Sequence, residues 1–251
     1  MHPTSNIDLK GKTLVLPVVS TANVAQLAVD LLIASLQLER IGIFDSLYLV
    51  PVVGSAESGQ GVCTPLELYG TPGLDVVFAQ QRSPVLKSQK AEFVSAFSDF
   101  IRTSGIAATL VLSGVDLSNR TDSQMITPTY QLSRPDVSTT PLARLASLPL
   151  PKYTSPVPHR PMDENQAQIP FIPGGSLTRR ILDRFWDDQS LPTAAAILQF
   201  ALEGDNRADS AMLASAVVAT LDLKVAGFVE PASWKQGLFG APPIPDETLY
   251  G

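Results

Sequence analysis

The sequence is poor in the residues that carry most enzymatic and metal chemistry, with one cysteine and two histidines among 251 residues. The lone cysteine, Cys63, allows neither a disulfide within the chain nor a zinc site built from several thiolates. His2 lies close to the start of the sequence and His159 in a proline-rich stretch, so neither is expected to be a positioned general base. The sequence therefore predicts no catalytic residue, no metal and no cofactor.

Positive charge is also scarce, because 18 lysines and arginines stand against 24 aspartates and glutamates and leave a net charge of −6. Nucleic-acid binding needs concentrated lysine and arginine, so no nucleic-acid partner is expected. The most apolar stretch, from Val24 to Leu38, is interrupted by polar residues and too short to span a bilayer, so no membrane is expected either. A start without a charged and apolar leader, together with the single cysteine, predicts a cytoplasmic chain and leaves the nucleus open.

Apolar residues are abundant, at 45% of the chain, and can fill the core of one large α/β domain. Up to residue 113 the pattern runs β-α-β-β-β-α-β, which predicts a mixed sheet flanked by helices. The expected strands are 13–19, 41–53, 66–69, 74–80 and 108–113, and the expected helices are 24–36 and 87–104. After residue 168 we expect a helix at 177–189, a strand at 193–202, where an alanine run leaves a helix open, and a helix at 208–223.

Residues 121–168 interrupt this order with a segment rich in proline, serine and threonine. Only 142–150 could form a short helix or strand within it. Because structureless connections of this length are uncommon in compact domains, we expect a flexible insertion inside a domain that covers 1–240. The alternative is an arm that binds a partner. Residues 241–251 are expected to form an extended C-terminal tail.

The run Pro173-Gly-Gly-Ser-Leu-Thr178 connects a predicted strand to a predicted helix. Free backbone N–H groups at a helix N-terminus favour anions, and Arg179 and Arg180 follow directly. The spacing matches neither a P-loop nor a dinucleotide fingerprint. We therefore prefer a structural turn at Gly174 and Gly175, and keep as the alternative a phosphorylase- or hydrolase-type enzyme that uses this loop as an anion site.

Phe185 and Trp186 are neighbours on a predicted helix, so they cannot both face the same core. One of the two rings is expected to be exposed, which is a hint of a protein interface.

The sequence closes on Leu249-Tyr250-Gly251 after a proline-rich run. An apolar side chain, an amphipathic ring and a terminal carboxylate form a three-point ligand for a pocket with an apolar floor and a cationic rim. The prolines stiffen the arm and lower the entropy lost on docking. The alternative is an ordinary frayed terminus without a function.

Four blocks of the sequence, taken in order, resemble the proteasome assembly chaperone 2 family. The blocks are Leu14–Leu32, Ile172–Arg179, Phe200–Asn206, and Ser233-Trp234 followed by Leu238-Phe239-Gly240. No single block decides the resemblance, but the ordered set is specific. The segment 121–168 is where the chain departs from the family pattern.

This resemblance implies a chaperone without enzymatic activity that pairs with proteasome assembly chaperone 1. The heterodimer would cap the outer face of the proteasome α-subunit ring during assembly of the core particle. The implied fold is a three-layer α/β/α sandwich related to nucleoside phosphorylases. The implied role of Leu249, Tyr250 and Gly251 is that of a hydrophobic-tyrosine-X tail, which enters a pocket between adjacent α subunits. A passive scaffold with an inert tail remains a further alternative.

Overall fold

The computed structural model describes residues 1–57, 61–156 and 169–236. Within these ranges the chain forms ten strands and four α-helices. The strands are β1 (His2–Pro3), β2 (Thr13–Pro17), β3 (Glu39–Ile43), β4 (Gly54–Ser55), β5 (Val62–Cys63), β6 (Leu66–Gly70), β7 (Val76–Gln81), β8 (Ala108–Asp116), β9 (Thr129–Leu132) and β10 (Thr193–Ala201). The helices are α1 (Val24–Ser35), α2 (Lys90–Ser104), α3 (Ser176–Asp187) and α4 (Arg207–Leu221).

Eight strands build one sheet in the order β1-β3-β6-β7-β2-β8-β10-β9, and β4 pairs only with β5. The central strands β7, β2, β8 and β10 are parallel, while β6 and β9 run antiparallel to their neighbours. The predicted mixed sheet is thereby confirmed. The long strands β8 and β10 pair along their whole length and are covered on both faces, which explains their almost unbroken apolar sequences.

Two helices cover each face of this sheet. Along β8, Leu110 packs with α1 and α4, whereas its neighbour Val111 packs with α2 and α3. Successive side chains of a strand point to opposite faces, so each long strand supplies both cores. This arrangement confirms the predicted three-layer α/β/α sandwich.

The strand expected at 41–53 is much shorter than predicted, because β3 ends at Ile43. The chain then turns, with the Asp45 carboxylate accepting a hydrogen bond from the Leu47 N–H at 2.9 Å. Leu49 still reaches the core and is 2% exposed. The apolar run in this segment therefore reflects burial of a loop, which periodicity alone does not distinguish from a strand.

The flexible insertion expected at 121–168 is wrong for residues 121–156. Here β9 joins the main sheet beside β10, and the Thr129 hydroxyl donates to Gln199 Oε1 at 2.7 Å. Short 3₁₀ turns follow at Pro135–Thr139 and Ala143–Ser147. Six apolar side chains of the segment are buried, namely Tyr130, Leu132, Val137, Leu142, Leu145 and Tyr153, whereas Met125 and Ile126 are exposed. Residues 157–168, with His159, lie outside the described residues.

Among the helices in the described ranges, none has the length and apolar character needed to cross a bilayer. The same ranges contain no group of three or more histidine, cysteine, aspartate or glutamate side chains placed to hold a metal ion.

Candidate functional site

The Gly174-Gly175 turn is closely packed against its own surroundings. Gly174 has a φ of +75°, which favours glycine, and Gly175 is buried. A Cβ on Gly175 would lie 2.4 Å from Cγ2 of Ile172, a side chain that is itself 1% exposed. The glycines are therefore required by the packing of the turn onto the body, as the structural interpretation of this motif predicted.

The polar side chains around this turn make separate contacts within the chain, and Lys90 donates to Ser176 Oγ at the start of α3. The Thr178 hydroxyl is buried and donates to Ser113 Oγ at 2.9 Å. The guanidinium of Arg179 lies 5.8 Å from the centroid of the Phe171 ring, whereas Arg180 is exposed on the outer side of α3. The arrangement favours a closed structural turn over an anion site.

The neighbours Phe185 and Trp186 differ in burial, as their positions on one helix require. Phe185 is 6% exposed and belongs to the core, while Trp186 is half-buried beside a cleft of about 340 Å³. The Trp186 indole donates to the Ala194 carbonyl at 2.9 Å, and its own carbonyl accepts from Arg134 at 2.6 Å. Trp186 is thus fixed to the body, and an interface role for either ring stays a prediction.

The outer face of α4 carries almost no charge. Residues 210–221 contain no charged side chain, although Met212, Ser215 and Ala219 on this helix are exposed. The corresponding face of α3 carries Arg180, Asp183, Arg184 and Asp187. A surface helix normally has a charged outer face, so the α4 face has the character of a surface that a partner covers. This face was not predicted from the sequence, although the uncharged run 210–221 is visible there.

Beyond α4 the chain reaches Ser35 at the C-terminal end of α1, and its last described residues lie beside Glu57, close to the β4–β5 pair. We call residues 229–234 the tail root. Val229 N–H donates to Ser35 Oγ at 2.8 Å, and Ser233 donates from its N–H and hydroxyl to the Glu57 carboxylate. Trp234 is 5% exposed and packs into the core shared by α1 and α4. The last described part of the chain is therefore held firmly on the body.

The tail root also forms one wall of a cleft of about 520 Å³ between α1, β3 and the β4–β5 pair. Below it, Glu67 is fully buried and accepts hydrogen bonds from Arg40 at 2.6 Å and from the Tyr69 hydroxyl at 2.8 Å. Burial, and then the charge of Glu67, raise the pKa of Tyr69 above its usual value. Arg82 pairs with Asp30 at 2.7 Å. Because these charges are paired with each other within the chain, we interpret the network as one that stabilises the fold and not as a reactive centre.

The predicted docking residues Leu249, Tyr250 and Gly251 lie outside the described residues, as do Leu238, Phe239 and Gly240. The structure therefore shows only where the tail root ends.

A model of the PAC2 family matches residues 14–187. The chain belongs to the PAC2 family. Proteasome assembly chaperone 2 of Xenopus tropicalis is 33% identical in an alignment that covers 91% of this chain and 92% of the relative. Proteasome assembly chaperone 2 of Homo sapiens is 32% identical over 210 residues, 81% of this chain and 78% of the relative. The predicted family is thereby confirmed.

A solved PAC2-like fold is also similar to this one. PbaA of Pyrococcus furiosus, described as an archaeal homologue of proteasome-assembly chaperone, has a TM-score of 0.62 at 14% identity. The superposition covers 88% of this chain and 85% of PbaA, and it supports the fold alone. The PAC2 match runs from β2 to the end of α3, so α4 and the tail root lie beyond it.

Proposed function

We propose that this chain is a proteasome assembly chaperone without enzymatic activity. The observation that carries the proposal is the identity of about one third with proteasome assembly chaperone 2 over nearly the whole chain. The alternative, an enzyme with an anion site at the Gly174-Gly175 loop, loses its support because Gly175 packs on Ile172 and the nearby polar side chains make separate contacts within the chain. The proposed place of action is the cytoplasm, with the nucleus as a second location.

The proposed partner of the body is a sister chain of the proteasome assembly chaperone 1 type. An uncharged, exposed helix face is typical of a stable protein interface. Helix α4 provides such a face, with Met212 at its centre. The exposed side chains of Phe228 and Val229 follow α4 and extend the same apolar character toward Ser35. The face of α3, which we considered from the sequence, is a weaker candidate because its outer side chains are charged.

The proposed partner of the tail is the outer face of the α-subunit ring. Tyr250 would pack against the wall of an inter-subunit pocket, Leu249 would anchor beside it, and the Gly251 carboxylate would pair with a lysine. A carboxylate that loses its partner in a desolvated pocket costs about 3 to 5 kcal/mol, so the position of the last residue should matter. If the sister chain carries a similar tail, two attachment points raise the avidity further.

The test is the affinity of the purified heterodimer for α rings. We expect deletion of Leu249–Gly251, or one residue appended after Gly251, to weaken binding about 100-fold or more. Thr248→Ser is the matched control, since it changes the tail but leaves its last three residues intact, and its affinity should equal that of the natural chain. Unchanged affinity after the deletion would remove the tail from the mechanism.

A further inference from the structure

The β4–β5 pair presents an apolar face that is largely exposed in the described part of the chain. Gly54 pairs with Cys63 and Ser55 with Val62. Because alternate residues of a strand share a face, Val53, Ser55 and Val62 lie on one side, with Val53 and Val62 as diagonal neighbours. Val53 is 72% exposed and Val62 51%, and the adjoining Val52 is 43% exposed. We call Val53 and Val62 the valine face.

Hydrogen bonds hold the β4–β5 pair to the rest of the body. Two-residue strands are not stable alone. Arg40 donates to the Val62 carbonyl at 2.7 Å, and Glu57 accepts both hydrogen bonds from Ser233 of the tail root. The valine side chains themselves add little to the core, since more than two fifths of each remains exposed. A fixed backbone with open apolar side chains suits contact with another surface.

The chain that follows the tail root begins at this same place. Fifteen residues, 237–251, come after Gln236 and can span at most about 50 Å when extended. Ser233 is hydrogen-bonded to Glu57, two residues after β4, so the last described residues lie close to the β4–β5 pair. A surface that receives residues 249–251 therefore lies within about 50 Å of a point beside this pair.

We propose that the valine face rests on an apolar patch of the α-ring surface next to the pocket that receives the tail. This inference depends on the proposed function, because it takes the α ring as the receiving surface. It assigns the body an orientation, with the β4–β5 side toward the ring. It also gives the tail root a role, since Glu57 and Ser233 keep the tail and the valine face together.

The test compares a double variant, Val53→Thr with Val62→Thr, with Ile126→Thr in the full-length heterodimer. Threonine keeps the β-branched shape and strand preference while replacing a methyl group by a hydroxyl, so the fold should be unaffected. Ile126 is 91% exposed and precedes β9, at the edge of the sheet opposite β1 and β3. We expect the double variant to bind α rings about tenfold more weakly and Ile126→Thr to bind as the natural chain does.

Combination with the Leu249–Gly251 deletion separates the two proposals. If the valines contact the ring directly, the same tenfold loss should appear with and without the last three residues. If the deletion leaves the affinity for α rings unchanged while the double variant weakens it, the docking of the tail is refuted and the valine face remains supported as a ring contact. Natural affinity of the double variant, or loss of its pairing with the sister chain, would overturn the valine face as a ring contact.

Discussion

At the scale of single residues, the packing around Gly174 and Gly175 distinguishes a structural turn from a catalytic anion site. The motif was visible in the sequence because the glycine pair stands between a predicted strand and a predicted helix. Its surroundings were visible only in part, because Ile172 precedes the pair directly whereas Thr21 reaches the turn only through the tertiary fold. The same limit applies to Glu67, whose partner Arg40 is 27 residues away and belongs to another strand. The spacing of Arg40 and Glu67 in the sequence therefore does not indicate that they pair.

Replacement of Gly175 by alanine should destabilise the chain. The added Cβ would meet Cγ2 of the buried Ile172 at 2.4 Å, so either the side chain or the turn must move. We expect the free energy of unfolding to fall by about 1 to 3 kcal/mol. The measurement is urea denaturation followed by circular dichroism.

Gly227→Ala is the matched control, because no atom lies within 4 Å of the Cβ it would add. Its free energy of unfolding should stay within about 0.5 kcal/mol of the natural chain. Equal stability of the two variants would mean that the turn is looser than the packing indicates, and the anion-site hypothesis would regain its support.

At the scale of secondary structure, the sequence predicted an element correctly where the hydrophobic periodicity and the turn residues indicate the same element. The hairpin of β6 and β7 was predicted from the Gly70–Gly73 turn, and the strand at β10 from its length and its stop at Glu203. The strand β9 was missed because its polar residues satisfy their hydrogen bonds through tertiary contacts, such as that between Gln131 and the Leu150 carbonyl. A composition rich in serine, threonine and proline therefore does not imply a flexible segment here.

The outer face of α4 gives a prediction for pairing with the sister chain. Met212→Glu places a charge on the exposed, uncharged face, and burial of an unpaired charge in an interface is strongly unfavourable. We expect the heterodimer to dissociate at least about 30-fold more readily, measured by analytical ultracentrifugation with the sister chain. Glutamate is a good helix former, so the helix itself should persist.

Ser95→Glu provides the control for this experiment, since Ser95 is exposed on α2 in the opposite helical layer. It should pair with the sister chain normally. Normal pairing of Met212→Glu would exclude the α4 face as the dimer surface, whereas loss of pairing in both variants would indicate an effect of charge that is not specific to either face.

At the scale of the whole molecule, the uncharged and apolar surfaces of the described residues lie on two parts of the body. One helical layer carries the uncharged α4 face, and the tail root and valine face lie at the β4–β5 pair. The sequence could reveal the family, because four ordered blocks carry the resemblance, whereas the role of Leu249–Gly251 stays a prediction. It could not reveal the side of the body on which the tail root lies, since the bonds between Ser233 and Glu57 join residues 176 positions apart.

The central claim is that this chain, with its sister chain, binds the proteasome α ring. The most direct measurement is native mass spectrometry of the purified full-length chain mixed with the sister chain and assembled α rings. The account predicts one complex whose mass equals that of an α ring plus one heterodimer. Free heterodimer beside an unoccupied α ring, at concentrations where both are intact, would contradict it.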